Sequence, residues 1–536
     1  MAENTNIKIL ADREDIVAIA DAVRNKTGTT AAMTLGGIVS EINGIETGMD
    51  LPELTNSASQ SEIFKNYEAI DSIGNKITGT FTIEEELSTQ EDILTLLKNA
   101  LQDKVINSEQ KLNDFIENEI TGDFVNYNVV KIRPYAFYNC TSLTTVSLPN
   151  CTSISSNAFE GCTNLTTANF PECTSIDNTA FYGCSSLTEV SFPKCVSINT
   201  NAFDGCTSLT TVDFPECTTI GYNAFNDCFS LTTVSFPKCT TMTEFAFFDC
   251  YSLIEANFPK CTNMGYEAFY RCSNLTTANF PVCTSIGGYN FRSCHKLVTL
   301  NFPECTSIDT CAFQYCYSLS IASFPKCETI GSYAFDACSS LTTAKFPKCI
   351  DISEYAFCDC SSLTTISFPS CTTIGNSVFY NCSSLISADF SNCTTIGGSA
   401  FRGCSSLTTA KFSNCTTINN YAFYNCFNLN TTSFPKCTTI GNLAFRNCYS
   451  LTTINLPNCT TIGNSAFRAC YTLSSLTLGG SIVCTLTNSN AFTSTPFVGY
   501  SLSFSGTPAI YVPASLLTSY QTATNWTYFS SYMVGY

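Results

Sequence analysis

The chain has little of the residue types on which most enzymes depend. Among its 536 residues there is one histidine, His295, and charged residues make up only 13%. His295 has no defined acid or base partner in the sequence. No Gly-rich phosphate loop, H-E-x-x-H motif or nucleophile elbow occurs either. We therefore expect no enzymatic activity and no cofactor.

Positive charge and long apolar runs are also scarce. The 25 lysines and arginines against 43 acidic residues give a net charge of −18, and no basic stripe occurs, so nucleic acid is not an expected partner. No run of 18 apolar residues exists, so we expect no membrane insertion. The N-terminus lacks a basic region followed by an apolar core, which predicts that any export uses a route other than a cleaved secretory signal.

Cysteine is abundant, and its spacing is regular. From Cys140 to Cys470 a cysteine falls at every eleventh residue, which accounts for 330/11 + 1 = 31 of the 34 cysteines. Two such steps make a 22-residue unit, and 330/22 = 15 units follow one another without an insertion. A fixed period this short is typical of a solenoid, in which each coil stacks on its neighbours.

The unit at residues 206–227 illustrates the fold prediction. Leu209, Val212 and Phe214 follow the L-x-x-V-x-F strand signature of leucine-rich repeats, and the two-residue period of a strand directs Val212 and Phe214 inward. The second half, which contains Phe225, predicts a tight turn and a short irregular or strand segment returning along the other side. We predict a mainly β, leucine-rich-repeat solenoid of 15 coils, with a two-sheet parallel β-helix as the alternative.

The cysteines occupy an inward rank, so we predict buried, free thiols. Parallel side chains hold equivalent Cβ atoms about 4.8 Å apart, which is wider than a relaxed disulfide prefers. Zinc ligands usually come as close pairs such as C-x-x-C, whereas the tightest spacing here is Cys358-Asp359-Cys360, so no metal site is expected. Three cysteines stand off the ladder, and two of them, Cys311 and Cys358, are expected to be exposed and reactive.

Two resemblances add to this pattern. The repeat grammar IGxxAFxxCxxLTTxxFPxC resembles the BspA-like leucine-rich repeats of bacterial surface adhesins and some phage proteins, over residues 132–492. The segments LADREDIVAIADAVRNKTGTT, at 10–30, and ELSTQEDILTLLKNALQDK, at 86–104, resemble tail-associated proteins of bacteriophages and prophages of gut Gram-positive bacteria. These resemblances imply a repeat solenoid that binds a partner and an N-terminal region that attaches it to a larger assembly.

Helical periodicity, turn signals and the repeat limits divide the chain into five predicted parts. After Cys470 the repeat degenerates, and a final strand and helix carrying Tyr520 and Trp526 could cover the open end, since an uncovered coil leaves strand edges unpaired. The parts are 1–48, a helical attachment segment; 49–88, a linker with a short strand from Ile77 to Ile83; 89–131, a helix leading into the solenoid; 132–492, the solenoid; and 493–536, the C-terminal cap.

Recognition must come from the positions that vary between coils, because the invariant inward positions only build the scaffold. At the variable positions, tyrosine and phenylalanine are mixed with small polar residues, which is the composition of a binding surface. Stacked coils would gather these side chains along one edge, although packing between neighbouring coils would also explain them. The Thr/Ser/Asn strand face, including Thr233, Ser235 and Asn279, is the runner-up surface. The candidate ligand-binding residues are Tyr222, Phe229, Phe245, Phe248, Tyr251, Tyr266, Tyr270, Tyr289, His295, Tyr315, Tyr317, Tyr333, Tyr355, Tyr380, Tyr421, Tyr424, Phe427 and Tyr449.

Three functions remain open at this point. The first is a phage tail fibre or tail-tip protein that recognises a bacterial surface protein or polysaccharide, with its N-terminal region on a tail or baseplate protein and a homotrimer as one arrangement. The second is an adhesin on the bacterial cell surface. The third is a structural solenoid resting on its threonine ranks, against which the variability of the aromatic edge argues.

Overall fold

The computed structural model describes residues 67–70, 76–79, 122–125, 129–499 and 507–536. The chain divides into two compact units, Met1–Leu209 and Thr210–Tyr536. The helices predicted within 1–48, and residues 89–121 of the helix predicted at 89–131, lie outside the described residues. No helix in the described ranges is long and apolar enough to cross a membrane.

Each coil contains two short parallel strands separated by turns. In the coil that opens at Cys294, the first strand is Thr299–Asn301 and the second is Ser307–Ile308. Each pairs in parallel with the strand 22 residues earlier, so that Thr299 lies opposite Thr277 and Ser307 opposite Ser285. The prediction of a mainly β, leucine-rich-repeat solenoid is therefore confirmed, including the short strand that returns along the second side.

Unit 1 contains an antiparallel hairpin, Tyr67–Ile70 with Lys76–Gly79, and a series of coils. The second hairpin strand overlaps the strand predicted from Ile77, whereas the first was not predicted. The first strands of the unit 1 coils are Gly122–Val125, Leu143–Ser147, Thr167–Asn169 and Glu189–Ser191. Their second strands are Lys131–Ile132, Ser153–Ile154, Ser175–Ile176 and Ser197–Ile198.

The coils begin earlier in the chain than the sequence analysis placed them. Gly122–Val125 pairs in parallel with Leu143–Ser147, and the ring of Phe124 lies 5.2 Å from that of Phe137. These strand residues fall in the stretch 89–131 that we assigned to a helix. The difference arises because no cysteine marks this coil, so the eleven-residue ladder does not reveal it.

Unit 2 is built from coils of the same kind. Its first strands are Thr211–Asp213, Thr233–Ser235, Glu255–Asn257, Thr277–Asn279, Thr299–Asn301, Ile321–Ser323, Thr343–Lys345, Thr365–Ser367, Ser387–Asp389, Thr409–Lys411, Thr431–Ser433, Thr453–Leu456 and Ser475–Leu478. Its second strands are Thr219–Ile220, Thr241–Met242, Asn263–Met264, Ser285–Ile286, Ser307–Ile308, Thr329–Ile330, Asp351–Ile352, Thr373–Ile374, Thr395–Ile396, Thr417–Ile418, Thr439–Ile440, Thr461–Ile462 and Thr485–Leu486.

The first-strand sheet of unit 2 is interrupted at regular intervals, whereas ten second strands, from Ser285–Ile286 to Thr485–Leu486, form one sheet. The interruptions follow the strands centred on Val234, Leu300, Ile366 and Thr432, whose middle residue is partly exposed. In the two strands before each of the last three, the middle residue is a buried alanine.

Two ranks of phenylalanine and two ranks of cysteine fill the interior. Phe313 and Phe335, in adjacent coils, stack with ring centroids 5.1 Å apart, and Phe346 of the other rank meets Phe335 edge-on at 5.8 Å. These rings are fully buried. We call the phenylalanine three residues before each coil-opening cysteine, such as Phe291 before Cys294, the turn phenylalanine.

The thiols of the two cysteine ranks have different acceptors. The thiol that opens a coil donates to the carbonyl oxygen of the turn phenylalanine 25 residues earlier, as Cys316 does to Phe291 at 3.1 Å. The thiol in the middle of a coil donates to the carbonyl two residues later, as Cys327 does to Thr329 at 3.3 Å. Burial raises the pKa of Cys327 to about 12. All 34 cysteines are buried and free, which confirms the prediction of free thiols.

The expectation that Cys311 and Cys358 are exposed and reactive is wrong. Their exposed fractions are 6% and 7%. Burial raises the pKa of both thiols, and Asp359 and Asp336 raise that of Cys358 further. Both therefore remain protonated at neutral pH, where a reactive thiol would need to ionise.

The C-terminal residues close the last coil. The strand Ala509–Val512 pairs with Ser475–Leu478 and with Met533–Gly535. Between these two C-terminal strands, Trp526 donates its indole N–H to the carbonyl of Cys484 at 2.7 Å, and Tyr520 accepts from the Cys484 N–H at 2.9 Å. The helical elements of this region are Ser489–Phe492, Pro496–Val498, Ala514–Leu516, Leu517–Thr522 and Thr527–Tyr532, of which Leu517–Thr522 is α-helical and the others are 3₁₀.

Candidate functional site

The eighteen candidate residues lie on the turn that leads from the second strand of one coil to the first strand of the next, all in unit 2. None of them is buried. We call this set the aromatic rim. Relative to the turn phenylalanine, Tyr222 and Tyr266 lie three residues before it; Phe245, Tyr289, Tyr333, Tyr355 and Tyr421 two before; Phe248, Tyr270, Tyr380 and Tyr424 one after; Tyr315 two after; and Phe229, Tyr251, His295, Tyr317, Phe427 and Tyr449 four after.

The backbone of this turn is held by hydrogen bonds to the next coil. The N–H groups of Tyr289, Phe291 and Ser293 donate to the carbonyls one coil further on, at 2.9, 2.8 and 2.8 Å. To make these alternating bonds, the residues two before and two after the turn phenylalanine adopt left-handed conformations, with φ of 58° at Tyr289 and 62° at Ser293. The rim side chains therefore project from a fixed backbone.

Six aromatic residues of the rim have a left-handed backbone: Tyr315, two residues after its turn phenylalanine, and five that lie two residues before theirs. The left-handed region costs an ordinary L residue about 1–2 kcal/mol, and asparagine visits it more readily. Asparagine stands at the equivalent place in other coils, at Asn157, Asn201 and Asn223. In the rim the equivalent residues have φ between 58° and 61°, and they are Phe245, Tyr289, Tyr333, Tyr355 and Tyr421.

The aromatic side chains contact one another across coils over the first part of the rim. Phe248 stacks on Tyr270 with centroids 4.8 Å apart, and Tyr266 lies 5.3 Å from Tyr289. The same chain of contacts reaches Tyr222 through Phe245. This part of the rim is a continuous aromatic surface, not a set of isolated rings.

The remaining aromatic contacts form smaller groups. Tyr333 and Tyr355 stack at 4.8 Å with parallel rings. Phe427 stacks on Tyr449 at 5.0 Å. His295 stacks on Tyr317, also at 5.0 Å. Packing between neighbouring coils therefore accounts for part of the aromatic content, while the outer faces remain exposed.

Two arginines, Arg292 and Arg402, lie among the rim tyrosines. Each guanidinium carbon is within 6 Å of three tyrosine ring centroids. A third arginine, Arg271, is different, because it forms a 3.0 Å ion pair with Asp249.

The pKa shifts of Tyr266 and His295 favour their neutral forms at neutral pH. Burial, followed by the charge of Glu267, raises the pKa of Tyr266 to about 12. Burial lowers the pKa of His295, and nearby Arg271 lowers it further. The rim therefore offers hydroxyl groups and ring faces, with arginine as its source of positive charge.

One group of side chains could hold a metal ion. Ligand atoms of Asp336, Cys358 and Asp359 lie within 4.8 Å of one another, and Gln314 donates its amide to Asp336 at 2.8 Å. The Cys358 thiol donates to Asp359 at 3.4 Å. The absence of a metal site consequently stays a prediction.

The runner-up surface on the strand face is partly occupied by its own hydrogen bonds. The amide of Asn279 donates to Asn257 at 2.7 Å, and Asn301 donates to Asn279 at 2.6 Å. Thr233 and Ser235 are exposed. Hydroxyl groups are therefore available on this face, but its asparagine ladder is satisfied internally.

Sequence reasoning named the aromatic residues of the site and missed its arginines. Arg292 and Arg402 both stand one residue after the turn phenylalanine, as do Arg446 and Arg468, in a column that elsewhere holds tyrosines such as Tyr380. Four arginines in a column that also holds tyrosines are the signal that could have revealed them.

The structure combines stacked 22-residue coils, parallel first strands with the L-x-x-V-x-F pattern, and a turn that carries the aromatic rim. These features define a leucine-rich-repeat solenoid. The model of the BspA type leucine rich repeat region matches residues 113–217, 196–320, 262–386, 328–451 and 395–503. These matches together cover residues 113–503, which is more than half of the chain, and the chain belongs to this family.

Several solved structures share similarity with the chain. A leucine-rich repeat protein from Bacteroides ovatus is 20% identical, covering 73% of this chain and 90% of that one, with a TM-score of 0.39. A leucine rich cell surface protein from Faecalibacterium prausnitzii is 25% identical, covering 70% of this chain and 94% of that one, with a TM-score of 0.35. A leucine rich repeat protein from T. pallidum is 33% identical, covering 27% of this chain and 72% of that one, with a TM-score of 0.27. No curated protein matches the sequence.

Proposed function

We propose that the protein is a non-enzymatic adhesin or receptor-binding protein that recognises a bacterial surface protein or polysaccharide through the aromatic rim. The observation that carries this proposal is the row of five aromatic residues in left-handed conformations two residues before the turn phenylalanine. Strain of this kind persists where the surrounding structure enforces it, and it is concentrated at binding and catalytic sites. Asparagine, which three other coils carry at this position, would relieve the strain, and a contact between the aromatic rings and a partner would offset its cost.

The backbone of the rim favours tight recognition. Because the hydrogen-bond ladder of the turn fixes the backbone that carries each side chain before a partner arrives, little backbone conformational entropy is lost on binding. Tyrosine offers a large contact area with only two rotatable side-chain bonds and a hydroxyl group. These are the properties of a preformed binding surface.

The experiment replaces rim tyrosines with the residue that other coils use at the same position. The triple variant Tyr289→Asn, Tyr333→Asn, Tyr355→Asn should reduce attachment to host cells at least tenfold while the coils remain folded. The matched control is Tyr135→Asn, because Tyr135 also has a positive φ of 61° and is 56% exposed but lies outside the rim. Unchanged attachment of the triple variant would refute the proposal.

For its location we propose a virion tail, on the resemblance of residues 10–30 and 86–104 to phage tail-associated proteins, with the N-terminal region bound to a tail or baseplate protein. The alternative is the bacterial cell surface, to which membership of the BspA-type family points. An antibody against residues 210–499 should decorate phage tails under the first proposal. Labelling of intact bacterial cells and not of particles would support the alternative.

A further inference from the structure

Two clusters in the rim share one arrangement, in which a guanidinium faces three tyrosine rings. The guanidinium carbon of Arg292 lies 5.8, 5.2 and 5.6 Å from the ring centroids of Tyr270, Tyr289 and Tyr315. We call these residues the Arg292 cluster. In the Arg402 cluster, the corresponding distances are 5.5, 5.7 and 5.0 Å, and the tyrosines are Tyr380, Tyr421 and Tyr424. Tyr424 also faces Arg446, at 5.6 Å.

Neither arginine has its charge neutralised by a carboxylate within the described parts of the chain. No ion pair or side-chain hydrogen bond joins Arg292 or Arg402 to another described residue, and the Nε of Arg292 is buried without a hydrogen-bond partner. Burial raises the pKa of Glu267, and the nearby charge of Arg292 lowers it by a smaller amount, but the two side chains form no ion pair. Arg271, in contrast, is neutralised by Asp249 at 3.0 Å.

Each of these two guanidinium groups lacks a carboxylate partner. Its planar fork of N–H donors matches a carboxylate, which can accept two parallel hydrogen bonds. The surrounding tyrosine rings present flat faces and hydroxyl groups, which suit the C–H faces and hydroxyls of sugar rings. The net charge of −18 does not prevent an anion from binding, because charges beyond about 8 Å are largely screened at physiological ionic strength.

The two arginines occupy the same position in their coils. They stand 402 − 292 = 110 residues apart, which is five coils of 22 residues. At the strand spacing of about 4.8 Å, five coils separate the clusters by roughly 24 Å along unit 2. A polymer with repeated carboxylates can reach both clusters, and the second contact then forms at a high effective concentration.

We propose that the Arg292 and Arg402 clusters are two subsites for the carboxylates of one acidic polysaccharide, a polymer that contains uronic acid. Each guanidinium binds a carboxylate, and the tyrosines of the cluster pack on the adjoining sugar ring. This inference rests on the proposed function, since it names the ligand class of the same rim.

The test measures the affinity of the full chain for polygalacturonic acid, which serves as the probe. Arg292→Gln and Arg402→Gln should each weaken binding by about tenfold, since a hydrogen bond to a charged group is lost in each case, and the double variant should weaken it by more than either single variant. The matched control, Arg271→Gln, should change the affinity less than twofold. The corresponding double Arg→Lys variant should retain part of the affinity, because lysine keeps the charge without the fork.

Two further probes separate the ligand classes. Neutral dextran should bind weakly and equally to all variants, whereas polyphosphate should bind less tightly than polygalacturonic acid. Wild-type affinity in the double Gln variant, an equal loss in Arg271→Gln, or a preference for polyphosphate would each overturn the inference. Circular dichroism and the urea midpoint of the double variant establish that it is folded.

The same variants distinguish this inference from the proposed function. If the triple tyrosine variant loses attachment to host cells while the double arginine variant keeps it, the rim is the binding surface and the uronate assignment is wrong. If neither variant loses attachment, both proposals fail.

Discussion

Thr179→Asn should stabilise the protein, although it is a change on the surface of a turn. Thr179 has φ 54° and lies at the left-handed position two residues before a turn phenylalanine, between coils that carry Asn157 and Asn201 there. A β-branched residue at positive φ is a conformational outlier, and the left-handed region costs it about 1–2 kcal/mol. Its hydroxyl donates to the carbonyl of Asn178 at 2.7 Å, and losing this local bond offsets part of the gain. We expect the free energy of unfolding to rise by about 1 kcal/mol.

The assay is urea denaturation followed by circular dichroism, with two controls. Asn223→Thr makes the reverse change at another left-handed position, where φ is 53°, and should destabilise by about the same 1 kcal/mol. Thr200→Asn changes an exposed threonine outside the left-handed set and should alter stability by less than about 0.5 kcal/mol. If Thr179→Asn lowers stability while Asn223→Thr is harmless, the turn is not strained, and the reasoning that assigns a binding role to its aromatic residues is refuted.

Three further predictions follow from the core, the C-terminal closure and the thiols. Phe335→Ala should lower the free energy of unfolding by about 3–5 kcal/mol, because the ring is fully buried and stacks on Phe313 and Phe357 at 5.1 and 5.0 Å; a loss below about 1 kcal/mol in urea denaturation would contradict this packing. Trp526→Phe should cost about 1–3 kcal/mol, since the buried Cys484 carbonyl loses the donor at 2.7 Å; equal stability of the two proteins would show that the bond is not required. Iodoacetamide should modify few thiols of the native protein and all 34 after denaturation without reductant; fewer than about a quarter free in the denatured sample would show that the thiols are paired.

Much of the fold follows from the sequence because the same side chains recur in every coil. The ladder from Cys140 to Cys470 and the paired phenylalanines, such as Phe214 and Phe225, specify which positions face inward, and the structure buries all four. The strand Gly122–Val125 escaped prediction because its coil carries no cysteine to mark it. Repetition reveals a coil only where the repeated residues are present.

The site was less predictable, because its geometry depends on conformation and on contacts between coils. The aromatic composition of the rim is visible in the sequence, whereas the left-handed backbone at Tyr333 and Tyr421 is not. The Arg402 cluster combines residues from three successive coils. Cys358 was expected on the surface because it stands off the eleven-residue ladder, but its side chain turns toward Asp359 and is buried.

The most direct test of recognition by the rim is cross-linking from defined positions. A photoreactive phenylalanine analogue would be placed at Tyr333 on the rim and, in a second protein, at Ser235 on the exposed strand face. After incubation with host cells and illumination, Tyr333 should give a cross-linked product with a cell-surface molecule and Ser235 should give none. Cross-linking from Ser235 alone would place recognition on the strand face and contradict the account.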